Sequence, residues 1–176
     1  MGSRAGVGLG SRCGVQGIKG GDKKGDSLRV GSWNIGTLQG SDRHRNDVGI
    51  LVDEELKEQI MEVKRVSDRV MTIKLVLGGR VTLNICSVYA PHLVLDEEEK
   101  KSFWEVLDEV VRGMPSLEKI FIGGDFNGHI GSSPLGYDDV HGGFGFGVRN
   151  DEGVALLDFA RAFGLVVVNS SFPKKE

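Results

Sequence analysis

The residues best suited to chemistry are Asp125 and Asn127, in the run LEKIFIGGDFNGH at residues 117–129. A carboxylate accepts a proton from water or binds a hard cation such as Mg2+. A carboxamide two positions on can donate to a phosphoryl oxygen. In an extended exit from a strand, residues i and i+2 point to one side, so the pair would converge on one small target. Gly123 and Gly124 are expected to end the strand, turn the backbone sharply and let a ligand approach closely. The bland reading of the same residues is a Gly-Asp turn whose Asn caps the next segment. Asn34 has a similar placement, an amide at the end of LRVGSWN. Tyr89 closes the run RVTLNICSVYAP just before Pro91. A tyrosine there packs half-buried with a wet hydroxyl, or, beside an Asp/Asn pair, donates to a phosphate. Arg149 and Asn150 end a glycine-rich loop at residues 128–150 and are candidate substrate contacts, since long loops in compact domains are often functional. His129 and His141 lie in the same loop, where a lone histidine is usually solvated, and no spacing there suits a transition metal.

The elements that must position these residues read as follows. LRVGSWN and DVGILVD are strand-like. EQIMEVKRV, RVMTIKLVL and RVTLNICSVY form an antiparallel meander, with Gly78-Gly79 as a two-residue hairpin turn. Asp96 opens a helix with Glu99 in capping-box position. Phe103, Leu107, Val110 and Met114 give its apolar stripe, and Gly113 and Pro115 stop it. A second helix is expected over residues 152–163, with Leu156, Phe159, Ala160 and Phe163 inward and Gly164 beyond its end. LVVVN reads as a buried strand ending at Asn169. Residues 1–27 repeat glycine among Lys, Arg and Asp with no aromatic residue. Such a stretch buries too little to offset its ordering entropy and is expected to be a disordered tail.

The chain has 176 residues, about one domain, with 39% hydrophobic residues, 27% charged residues and a net charge of −3. That suffices for a core and argues against tight, purely electrostatic nucleic-acid binding, which needs clustered Lys and Arg. Cys13 and Cys86 match no zinc or redox spacing, so Cys86 is expected to be a buried free thiol. No signal-like apolar segment and no run approaching ~18 apolar residues is present. An intracellular, non-membrane protein is expected.

The order SWN, SVYAP, GGDFNGH, glycine-rich loop and LVVVNSSF resembles the endonuclease/exonuclease/phosphatase superfamily. More closely, it resembles the apurinic-endonuclease-like domain of non-long-terminal-repeat retrotransposons, whose relatives include craniofacial development protein 2-like sequences. The resemblance runs over residues 28–176. It implies an α/β fold, a four-layer α-β-β-α sandwich of the deoxyribonuclease I kind, and phosphodiester hydrolysis of DNA with Mg2+ or Mn2+. By it, Asn34 would place metal or phosphate and Tyr89 would donate to phosphoryl oxygens. Asp125 would activate water and help hold the metal, and Asn127 would polarise the phosphate. The family pattern also has a Q-E-T-like strand carrying the main metal-ligand Glu, where Gln39-Gly40-Ser41 runs straight on here. Its closing S-D-H-like motif has no counterpart before Glu176. Glu54, Glu55 and Glu58 follow the wrong strand to substitute. The expectation is therefore a truncated copy, a catalytically impaired retroelement-derived fragment with weak metal binding. Its uncovered sheet edges are expected to favour self-association.

Overall fold

The computed structural model describes residues 6–9, 15–19, 27–35, 47–92 and 95–173, with residues up to Asp47 described through their backbone alone. The class is mixed α/β. Strands β1 (Gly6–Leu9), β2 (Val15–Lys19), β3 (Ser27–Ile35), β4 (Asp47–Val52), β5 (Ile60–Arg65), β6 (Val70–Leu77), β7 (Val81–Tyr89), β8 (Lys119–Asp125) and β9 (Val166–Val167) are joined by helices α1 (Glu97–Arg112) and α2 (Asp151–Ala162). Two sheets result, one in the order β5-β6-β7-β8-β1-β9 and one in the order β2-β3-β4. Strands β5 to β7 are the antiparallel meander read from the sequence. The chain then crosses through α1 and returns as β8, parallel to β7, as a crossover helix permits.

Alternation along β6 and β7 assigns the two faces of the large sheet. Ile73, Leu75, Leu83 and Ile85 face the small sheet and meet Ile50 and Val52 of β4. Cys86, Val88 and Ile122 face the other way, onto Phe103, Leu107 and Val111 of α1 and Leu156, Leu157 and Ala160 of α2. The helices thus cover one face of the large sheet and β4 lies against the other. Among the described residues, no helix is long and apolar enough to cross a membrane.

Both helices start on side-chain caps, of which the sequence marked the first. The Asp96 carboxylate accepts from the Glu99 N–H at 2.8 Å, and acidic residues fill the first turn of α1. Asn150 caps α2 by accepting from the Gly153 N–H at 2.9 Å.

Several expectations need correction. β8 does not break at its glycines but continues through them to Asp125. Gly124 has φ 151°, and a β-carbon there would lie 1.9 Å from the Val88 carbonyl oxygen. The close approach that glycine permits is made by the neighbouring strand, not by a ligand. The hairpin between β6 and β7 is one residue longer than expected. Gly78 and Gly79 supply the positive φ values, but Leu77 pairs with Val81, so Arg80 belongs to the loop. The strand at LVVVN is two residues long, because the Ser170 hydroxyl donates to the Val167 carbonyl at 2.6 Å and draws the chain into a 3-10 turn. The expected disordered tail contains two strands. β1 fills a slot between β8 and β9 whose backbone groups would otherwise lack partners, and β2 pairs with β3.

Two predictions follow from this packing. Gly124→Ala must push β7 from β8 and is expected to cost about 3 kcal/mol or more, the severe end for one substitution; thermal or urea melting measures it. Cys86 is fully buried, and burial pushes its thiol up to about 12. The reactive thiolate is therefore suppressed at pH 8. In a Cys13→Ser background, a thiol reagent should label nothing in the native protein and one site in denaturant.

Candidate functional site

The parallel register of β7 and β8 sets Tyr89 directly beside Asp125. The Ala90 N–H then donates to the Asp125 carbonyl at 2.8 Å, carrying the pairing one step past the strand. Phe126 follows and turns inward. It is 1% exposed and lies nearly parallel to Trp104 of α1, ring centroids 6.1 Å apart. With Phe126 anchored, Asn127 adopts φ 49°, the left-handed region that Asn tolerates better than most residues. Its backbone N–H donates to Asp125 Oδ1 at 2.9 Å, closing an Asx turn. Its side-chain Nδ2 donates to the Ala90 carbonyl at 2.7 Å. Asp125 and Asn127 do meet, but through a tight turn rather than by projecting together from an extended strand. The bland Gly-Asp turn and the chemical pair are one structure.

Tyr89 is buried, and its hydroxyl is hydrogen-bonded to Nε2 of His92, with the two rings edge to face at 5.4 Å. The Arg69 guanidinium lies 5.7 Å from the Tyr89 ring centroid and reaches the Tyr89 carbonyl at 3.5 Å. Sequence reading missed both His92 and Arg69. The spacing Tyr-x-x-His around Pro91 was the available signal for His92. Arg69 ends the turn into β6, and nothing local ties it to Tyr89.

The loop candidates are placed elsewhere. Asn150 Oδ1 accepts from both the His129 and Gly153 N–H groups, at 2.8 and 2.9 Å, so it caps α2 and pins the loop's start. Arg149 donates to the carbonyls of Ile130, Ser133 and Leu135 at 2.7–3.0 Å, with its guanidinium 4.7 Å from the Tyr137 ring centroid. Both side chains organise the loop. His141, expected to be solvated, is 3% exposed. Its Nδ1 accepts from the Gly143 N–H at 3.0 Å, which leaves Nε2 to donate to the Gly131 carbonyl at 3.1 Å. His129 is exposed. Asn34 pairs with Val48 through its backbone in β3; its side chain and the Gln39-Gly40-Ser41 junction lie outside the described residues.

Beside the turn, Ala90, Pro91, Trp104 and Phe126 line a cleft of about 290 Å³ between the first turns of α1 and α2. Lys100 bridges its rim, 2.9 Å from Glu97 and 3.3 Å from Glu152. Those two carboxylates hold the Lys100 ammonium above its usual pKa, the Glu97 hydrogen bond contributing most.

Mg2+ takes six oxygen ligands, usually keeping several waters and one or two protein carboxylates. Among the described residues, no group of three or more His, Cys, Asp or Glu side chains is arranged to hold a metal ion. One Asp125 oxygen is already engaged by the Asn127 N–H. Glu54 sits in an exposed 3-10 turn, paired with Lys57 at 2.6 Å.

No family model matches the chain, and no solved structure matches it. The chain is 30% identical over 128 residues to craniofacial development protein 2 of Bos taurus, and equally identical over the same length to that of Tragulus javanicus. The match covers 73% of this chain but 21% and 22% of those proteins, so the chain spans about a fifth of the length of the curated relatives it matches. The similarity carried by this sequence, around the turn described above, is thus to craniofacial development protein 2.

Proposed function

We propose that the chain carries a phosphodiester-hydrolysing site of the endonuclease/exonuclease/phosphatase type, retroelement-derived, directed at DNA and catalytically impaired. The observation that carries this reading is the closed turn itself. Asp125 and Asn127 stand together beside Tyr89, yet one carboxylate oxygen and the amide nitrogen are already bonded to backbone. In-line attack on a phosphodiester needs a base for water, donors to the phosphoryl oxygens and neutralisation of developing charge. The second Asp125 oxygen supplies a base. Tyr89 supplies a hydroxyl, oriented by His92. Neutralisation is the weak part, because the described residues do not gather hard-cation ligands. Loss of one member of a cooperative set lowers the rate far beyond that member's share. The alternative is an active Mg2+-dependent nuclease using Asp125 and Asn127, which the Tyr89–Asp125 register favours.

Metal titration separates the two readings. Mg2+ should bind no tighter than the millimolar range, ~10⁻³ M, typical of ligand-poor sites. A tight one-to-one isotherm that vanishes in Asp125→Ala would establish the active-nuclease reading instead.

Nicking of supercoiled and abasic DNA, with Mg2+ and with chelator, tests the chemistry. Any activity above a mock purification should fall ~10²–10⁴-fold in Asp125→Asn, the usual loss for a positioned base. Asn127→Gly keeps the left-handed backbone while removing the amide, and should lose roughly 10²-fold. His129→Ala should change nothing. Activity surviving Asp125→Asn at full strength would place the chemistry elsewhere.

A further inference from the structure

The edge strand β5 is exposed along most of its length. Residues 61–65 are all exposed, including two large apolar side chains, Met61 at 67% and Val63 at 57%. Among the described residues it ends the order of the large sheet, with β6 on one side. A free edge of this kind is a template for another strand. Charged edge residues ordinarily ward off such pairing, and Glu62, Lys64 and Arg65 look at first like that protection.

We propose that β5 is a homodimer edge: two copies join antiparallel about a two-fold axis at Val63, so that one sheet runs through both. The argument lies in register and charge. A two-fold axis perpendicular to the sheet keeps each face on its own side. Directly opposed residues must then share a face, and their numbers differ by an even amount. Centred on Val63, the pairing sets Val63 against its own copy and each Glu62 against the other copy's Lys64. The pairing spans residues 62–64, since Met61 falls in the irregularity between Ile60 and Glu62 and Arg65 donates to the Val48 carbonyl at 3.4 Å within its own chain. Centring instead on Glu62 or Lys64 would oppose like charges at the axis, which destabilises a strand pair. Among the registers centred on residues 62–64, one is therefore selected, by the residues that would otherwise guard the edge. The irregularity between Ile60 and Glu62 in the β5–β6 ladder bends the strand there and limits how far the pairing can extend. On the same face, Glu62 stands opposite Lys74 and Lys64 opposite Thr72 in the β5–β6 register, and Lys74 is ion-paired with Glu118 at 3.0 Å. The dimer would alternate charge as Lys74, Glu62, then the second copy's Lys64.

Sedimentation analysis of the full chain across the micromolar range, at low and high salt, tests this. A concentration-dependent monomer–dimer equilibrium weakened by salt is expected. Glu62→Lys and Lys64→Glu should each raise the dimer Kd on the order of 10-fold or more, since symmetry counts each repulsion twice. The double exchange Glu62→Lys with Lys64→Glu should restore most of the affinity, and an equimolar mixture of the two single variants should form heterodimers. Circular dichroism and melting of each variant test that the fold is retained; Lys64→Glu, opposite Thr72 in the β5–β6 register, is the cleaner single change. A monomer at the highest soluble concentration overturns the proposal. So does a dimer indifferent to both single changes, or a double exchange as weak as the singles.

Discussion

The carbonyl oxygen of Val88 stands where a side chain at position 124 would have to be. Everything described at the site depends on that contact. It lets β7 and β8 run side by side to their last residues, so Tyr89 meets Asp125 rather than stopping short of it. It also fixes where β8 ends, and hence where Phe126 enters the core between the sheet and α1. A strand that ended at Gly123 would leave the carboxylate on a loop. Backbone packing thus sets the position of the polar groups.

The same economy governs the turn. Ala90 donates its N–H to Asp125 and accepts the side-chain amide of Asn127 through its carbonyl. Three residues from two strand ends hydrogen-bond one another. Such closure gives the turn a definite shape, in keeping with the rule that buried polar groups find partners. It also means that any ligand there competes with bonds already made. The positive φ of Asn127 is held by those bonds and by the buried Phe126 on its N-terminal side.

Much of this was legible in the sequence, and the exceptions have identifiable causes. The meander, both helices and the Asp96 cap of α1 were readable because alternation, apolar stripe and cap chemistry are local signals. Asp125, Asn127 and Tyr89 were legible as a group because each closes an apolar run. The path of β8 through Gly123 and Gly124 was not, since a glycine's role depends on which neighbour crowds it, and Val88 is distant in sequence. The short β9 was misread because three valines outweigh one serine on any propensity scale, whereas Ser170 acts through hydrogen bonds to Val167 and Gly142. Arg149 and Asn150 looked like substrate contacts because they are polar and end a long loop. Their partners are carbonyls and amides of that loop, visible only once it is folded. His141 was expected in solvent for the same reason and is buried instead.

That loop has a consequence of its own. Although it is long and rich in glycine, it is tied down at many points. Asn150 holds its start to the cap of α2, His141 spans residues 131 and 143, and Val167 donates to the Val140 carbonyl. Tyr137 lies against the Arg149 and Arg161 guanidiniums while its hydroxyl donates to Asp158 of α2. Segments laced together in this way open as a unit, sharing one free energy of local unfolding rather than breathing piecemeal. The loop therefore behaves as part of the helical layer.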